Sequence, residues 1–328
     1  MTGAGDHLIA VTGGAGYIGA PLCLRLAASG WEVRALDVLL HDQRRVADAL
    51  ERAGVELIRA DVRDAAARER ALDGASAVVH LAAIVGDPAC ARDPPLSRAV
   101  NVDGSLALAA DAERLGVPRF IMASTCSNYG RMEDPDVPID EQGTLAPVSL
   151  YAEQKVAVEH ALLESSSASM APTCLRFATV YGVAPRMRFD LTVNEFTRDL
   201  WAGRRLEVFG EQFWRPYVHV VDAGRGIEAA LAAPDRTAGE VFNVGRSGEN
   251  YRKLDLVEEI RRVTDRGDVR FVHRDEDPRD YKVSFDKIRN VLGFETERTV
   301  PDGIAEVFGA LEDHQFDDPF DVHYRNIP

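Results

Sequence analysis

Positive charge is what this sequence has least of: 38 Lys and Arg stand against 53 Asp and Glu, a formal net charge of -15 over 328 residues. A nucleic-acid or anionic-membrane partner needs clustered positive charge, so neither is expected. A phosphorylated small molecule is not excluded, since a few well-placed arginines suffice. Cysteine is nearly absent. Cys23, Cys90, Cys126 and Cys174 are scattered and none belongs to a Cys-x-x-Cys pair, so neither a metal site nor a disulfide framework is expected, and a reducing cytoplasm is. Long apolar runs are missing too. The first one, Leu8–Val11, has strand length, and no basic region with a signal-length apolar run accompanies it. No repeat or low-complexity linker divides the chain.

What is present alternates. Apolar runs at Leu8–Val11, Glu32–Asp37, Val55–Ala60, Ala77–Leu81, Arg119–Ser124 and Thr173–Ala178 read as strands. Helical patterns separate them at Tyr17–Ala28, Arg44–Ala53, Arg63–Leu72, Val100–Leu115 and from Tyr151 to about Leu163. Strand–helix alternation predicts βαβ units with right-handed crossovers. The expected fold class is α/β, a Rossmann-like doubly wound parallel sheet over residues 1–178, with residues 179–328 forming mainly a smaller substrate-binding domain and some later segments returning to the first. Glu133–Pro147 reads as a loop and Asp317–Pro328 as a surface arm.

Two motifs carry chemistry. Thr12-Gly13-Gly14-Ala15-Gly16-Tyr17-Ile18-Gly19 joins the first strand to the first helix. Gly13 allows the tight turn, Gly16 lets backbone approach a pyrophosphate, and Gly19 packs the helix on the sheet. A helix N-terminus attracts the anion. Asp37 closes the second strand, where a carboxylate binds ribose hydroxyls and repels a 2′-phosphate, which favours NAD. The second motif is Tyr151-Ala152-Glu153-Gln154-Lys155, whose i, i+4 spacing puts phenol and ammonium on one helix face. Alone, that spacing is a frequent coincidence.

It gains weight from Phe120–Gly130, a strand ending in hydroxyl residues. Here the sequence resembles the extended short-chain dehydrogenase/reductase family, in its nucleotide-sugar epimerase and dehydratase branch. The resemblance spans nearly the whole chain. It rests on Thr12–Gly19, Asp37, Asp61-Val62, His80–Ala83, Asn101–Gly104, Ser124–Gly130, Tyr151 with Lys155, Tyr181-Gly182, and Arg215–Val220 with Asp222.

Roles follow from the resemblance. Tyr151 is the catalytic acid/base, Thr125 the catalytic hydroxyl, and Lys155 holds the nicotinamide ribose and lowers the Tyr151 pKa. Gly13, Gly16, Tyr17, Ile18, Asp61, Val62, Leu81, Ala82, Ala83 and Asn101 join Asp37 as NAD contacts. Arg215 and Arg279 grip the substrate diphosphate. The shared first step is oxidation at the sugar C4. Family dehydratases carry an Asp-Glu pair after the catalytic Thr; here those positions are Cys126 and Ser127, which disfavours water elimination. Cys126 is readable as a second acid/base or as a packed wall residue. Many relatives have Asn where Thr179 stands; with Arg186, Arg188 and Asn194, this implies a rearranged substrate pocket. The expected activity is an NAD-dependent C4 epimerase of a nucleotide-diphosphate hexose or heptose. The alternatives are a 4-ketoreductase, a 4,6-dehydratase, or a catalytically silent cofactor sensor. A homodimer through the helices near Ser105–Leu115 and Leu150–Leu163 is implied.

Overall fold

A helix that returns the chain to start a parallel strand must bury one face on the sheet, so alternating elements build a covered sheet. The computed structural model describes residues 8–131, 134, 137–167, 169–273 and 279–326. Its strands are β1 Leu8–Thr12, β2 Glu32–Asp37, β3 Glu56–Arg59, β4 Ala77–His80, β5 Arg119–Thr125 and β6 Ala171–Phe177, followed by β7 Thr179–Tyr181, β8 Leu206–Phe209, β9 Trp214–His219, β10 Val241–Val244, β11 Asn250–Arg252 and β12 Val269–Val272. Seven of these form the main sheet in the order β10-β6-β5-β4-β1-β2-β3, and every pairing is parallel. β10 lies well beyond residue 178, so later chain closes the sheet beside β6.

The strands are covered on both faces. Ile9 and Val11 pack with Leu22 and Leu26 on one side, whereas Ala10 packs with Leu36, Val78 and Phe120 on the other. That is the alternation expected of a doubly buried parallel strand. The chain leaves β1 in opposite directions toward β2 and β4, and the crevice at this reversal is where ligands settle in such sheets.

The helix expected over 100–115 differs at its start. Ala99–Gly104 is a π-helical stretch and Ser105–Arg114 is the α-helix proper. The later chain builds a three-stranded sheet, β11-β9-β7, and a β12-β8 pair. Helices Thr192–Trp201, Lys253–Thr264 and Val300–Glu312 enclose a core with Tyr181, Tyr217, Leu256, Ile260 and Ile304.

The tail runs along the surface, as expected of an arm, but it is anchored: Phe316 and Tyr324 pack edge-on against Phe189, with ring centroids 5.0 and 5.6 Å away. The Phe189 N–H donates to the Tyr324 carbonyl at 2.8 Å. Asp317, Asp318 and Asp321 dominate this stretch and hide its aromatic anchors from a composition-based reading. Parts of 133–147, the residues just before Arg279, and the last two residues lie outside the described residues. Among the described residues, no helix is long and apolar enough to cross a membrane, and the four cysteines are free and buried.

Candidate functional site

The site begins at the glycine loop. Gly13 has φ +71°, and a Cβ there would stand 2.7 Å from the Ala82 amide, so only glycine lets the turn close on the end of β4. A Cβ on Gly19 would run into the Gly13 carbonyl. The helix that follows, Gly19–Ala28, has no side-chain cap and no acid in its first turn. Asp37, at the end of β2, accepts from the Ala15 N–H at 3.0 Å and the Leu39 N–H at 2.8 Å. Burial pushes its carboxyl up; the two N–H donors and the Arg186 charge oppose that shift.

This loop opens into a cleft of about 770 Å³ between the two halves of the chain. Gly13, Gly16, Tyr17, Ile18, Asp37, Asp61, Val62, Leu81, Ala82 and Ala83 line it from the first half. Thr125, Ser127, Tyr151 and Lys155 line its middle, and Thr179, Arg186, Arg188, Arg215 and Arg279 its far wall. Glycines that bring backbone to the cleft, an uncapped helix N-terminus and a strand-end carboxylate are the parts a dinucleotide requires. The residues present therefore fit NAD.

Two hydroxyls end β5, and their partners tell them apart. Ser124 also borders the cleft, but its hydroxyl donates to Glu159 at 2.7 Å. Glu159 is fully buried and paired with Arg176. Thr125 faces the cleft, and its Oγ1 caps the short turn Cys126–Tyr129 by accepting from the Ser127 N–H at 3.1 Å. Helix Leu150–Glu164 starts at Ser149, whose hydroxyl accepts from the Ala152 N–H at 3.3 Å. That start aims Tyr151 and Lys155 at Thr125's side of the cleft. The Lys155 ammonium donates to the Ala123 carbonyl at 2.8 Å and lies 5.9 Å from the Tyr151 ring centroid. Burial lowers Lys155 to about 8. The lowering of Tyr151 expected from Lys155 is not found: burial pushes the phenol up, Cys90 adds to that, and Arg188 opposes it.

The remaining expected contacts divide. Arg215 lies over the Tyr281 ring at 5.3 Å, and the Tyr281 hydroxyl donates to Ser127 Oγ at 3.4 Å, which ties this arginine to the turn after Thr125. Arg279 donates to Asp87 at 2.8 Å at the cleft wall. Asp61 is paired with Arg63 at 2.7 Å. Three residues expected to touch ligand do not line the cleft. Cys126 is 1% exposed and its thiol donates to the Arg176 carbonyl, because it opens the short turn after β5 with its side chain in the core; burial pushes that thiol well up. Asn101 is also buried, accepting from the Ile84 N–H at 2.7 Å and donating to Gln154 at 2.9 Å. It braces the segment that carries Ala83. Asn194 accepts from the Gly182 N–H at 2.9 Å and donates to the Tyr17 hydroxyl at 3.0 Å and the Arg188 carbonyl at 2.9 Å. It fastens the glycine-loop helix to the later half.

Sequence reasoning missed Phe209, Tyr217, Lys253 and Asn326, all of which line the cleft. Lys253 donates to the Phe209 carbonyl at 2.7 Å. Tyr217 belongs to the Arg215–Val220 motif but was given no role; no motif announces the other three, which tertiary packing alone brings in. No carboxyl stands on the turn Cys126–Tyr129.

A model of the NAD dependent epimerase/dehydratase family matches residues 9–245. A UDP-glucose 4-epimerase of Rhizobium leguminosarum bv. trifolii is 30% identical over 322 residues, covering 89% of this chain and 93% of the relative. Among solved structures, a UDP-glucose 4-epimerase of Thermotoga maritima with UDP-glucose is 27% identical with a TM-score of 0.83, covering 94% of this chain and all of that one. A dTDP-glucose 4,6-dehydratase of Streptomyces venezuelae with NAD bound is equally similar, at 27% identity and TM-score 0.83, covering 94% of this chain and 98% of its own.

Proposed function

The chain belongs to the NAD-dependent epimerase/dehydratase family, and we propose that within it this protein is a nucleotide-diphosphate-sugar epimerase acting at C4 of a hexose or heptose. One observation carries the choice: Thr125, Tyr151 and Lys155 share a cleft in which the turn after Thr125 offers Ser127 and no carboxyl. Elimination of water across the sugar ring needs an acid and a base beside the reacting carbons. Among the described residues, the carboxyls that line the cleft, Asp37, Asp61, Glu195 and Glu207, lie on other elements.

The mechanism assigns each group one task. Bound NAD supplies a hydride acceptor that gives the hydride back. Tyr151 takes the proton of the C4 hydroxyl and later returns it. Thr125 donates a hydrogen bond to that oxygen as it becomes a carbonyl. Lys155 holds positive charge beside Tyr151 and fixes the ribose. Arg215 and Arg279 hold the substrate diphosphate, as guanidinium groups suit phosphate oxygens. That grip leaves the keto sugar free to present its other face before the hydride returns. Thr179, in place of the usual Asn, lines the sugar's surroundings and favours a sugar other than glucose.

The test is product mass after incubation with UDP-, GDP-, CDP-, ADP- and dTDP-sugars, heptoses included, without added reductant. A new retention time at unchanged mass is the expected result. Loss of one water overturns it in favour of a dehydratase. Turnover only with a keto sugar and NADH overturns it in favour of a reductase. Silence under every condition leaves a cofactor sensor.

A further inference from the structure

Arg186 and Arg188 both line the cleft. Arg186 follows β7 and is 6% exposed, yet it lines the cleft. Its Nη2 donates to the Arg325 carbonyl at 3.3 Å, and its buried Nε has no partner among the described residues. Arg188 is already satisfied by a two-pronged bond to Asp190 at 3.0 and 2.8 Å. Two buried cations therefore share one carboxylate. Arg186 is near enough to Asp37 and Tyr17 to feel both, and burial together with Arg188 holds it down to about 10. Asp37 offsets part of that charge through space, while its oxygens are taken up by the Ala15 and Leu39 amides.

A buried, unpaired guanidinium donor is costly unless something fills it. Arg186 lines the same cleft as the glycine loop and the uncapped N-terminus of helix Gly19–Ala28. Both features call for the same partner, an anion with several acceptor oxygens. We propose that Arg186 binds the pyrophosphate of the dinucleotide from the far wall, closing on the phosphates against the glycine loop. The C-terminal tail sets the guanidinium in place. Its Arg325 carbonyl holds Nη2, its Asn326 N–H donates to Asp190 at 3.1 Å, and its Asn326 amide reaches the Val85 carbonyl at 3.4 Å across the cleft. The tail thus straps the far wall to the segment after β4. The inference rests on dinucleotide binding alone and holds for any sugar chemistry.

The experiment is isothermal titration of the stripped full-length chain and of Arg186→Met with adenosine, ADP-ribose, NAD and NADP. Loss of a charge-assisted bond to phosphate is expected to weaken ADP-ribose, NAD and NADP alike, by roughly tenfold to hundredfold, with adenosine unchanged. Unchanged NAD affinity overturns the proposal. So does a loss confined to NADP, which moves Arg186 to a 2′-phosphate, and a loss confined to nucleotide-sugar binding, which moves it to the substrate. A second measurement needs no substitution. The Arg186 Nε–H resonance of the unsubstituted protein, identified by its absence in Arg186→Lys, is expected to shift with ADP-ribose and not with adenosine. An immobile resonance overturns the proposal even where Arg186→Met fails to fold.

Discussion

The two walls of the cleft are built on different principles. On the first-half wall, backbone decides where function goes. Gly13 turns at φ +71° against Ala82, Asp37 and Thr125 are the last residues of β2 and β5, and Leu81 to Ala83 continue from β4. On the far wall, side chains decide. Arg188 is aimed by Asp190, Arg215 by Tyr281 and Arg279 by Asp87. The contrast teaches where sequence spacing carries information. A position set by a strand end or a turn keeps its place in the text, whereas a position set by a distant partner does not.

The widest separation between the walls lies in the chemistry itself. Tyr151→Phe keeps the ring and removes the proton acceptor, so turnover is expected to fall by roughly 100- to 10,000-fold with NAD content unchanged. Product formation near the unsubstituted rate, by mass spectrometry, would falsify the role of Tyr151. Lys155 separates function from stability. Its ordinary value is 10.5 and its folded value about 8. Between those values the unfolded chain binds more protons, so stability rises with pH through that window. The cost of the buried charge is fully present below about 8. Lys155→Met is therefore expected to abolish turnover and still raise the unfolding free energy at neutral pH, by roughly 2–3 kcal/mol. The gain should shrink as pH climbs through the same window. Denaturant titrations at several pH values check this, and a destabilised variant at neutral pH would contradict it.

Smaller effects distinguish the ligands. Arg215→Ala is expected to raise KM for the nucleotide sugar by roughly tenfold to hundredfold while the NAD Kd stays put. Equal weakening of both would place Arg215 on the cofactor. Asp37→Asn is expected to weaken NAD by about tenfold and NADP by less, because the lost carboxylate served ribose hydroxyls and opposed a phosphate. Tighter binding of NADP than NAD before any substitution would contradict that role for Asp37.

The sequence was readable to the extent that backbone governs. Strands β1 to β6, the glycine loop and the Tyr151–Lys155 spacing follow from periodicity and spacing, Thr125 follows only from the family resemblance, and β10, which closes the main sheet, was not read at all. Asn101 and Asn194 were legible as polar residues near motifs but not as buried braces, since their partners Ile84 and Gly182 are fixed only by folding. The tail was read as a surface arm without anchors, and only the packed Phe189 explains why Phe316 and Tyr324 hold it. Asn326 reaches the cleft through that same packing, with no signal in the text.

Cys126 is the sharpest test of where backbone puts a side chain, and the effect expected is the smallest. It follows Thr125 directly, where a dehydratase carries a carboxyl, so text alone leaves it readable as a second acid/base. It opens the short turn after β5 with its side chain in the core. Its thiol meets the Arg176 carbonyl and, more distantly, Asn243, with 1% of the residue exposed. A thiol held well above its ordinary value by burial stays protonated and has no path to the sugar. Cys126→Ala is expected to cost roughly 1 kcal/mol of stability through the small void it leaves, and to change kcat by less than about twofold at neutral pH, since no transition-state contact is lost. A large fall in kcat with an unchanged melting curve would put the thiol back in the reaction, and with it the reading of this enzyme as one that moves a second proton.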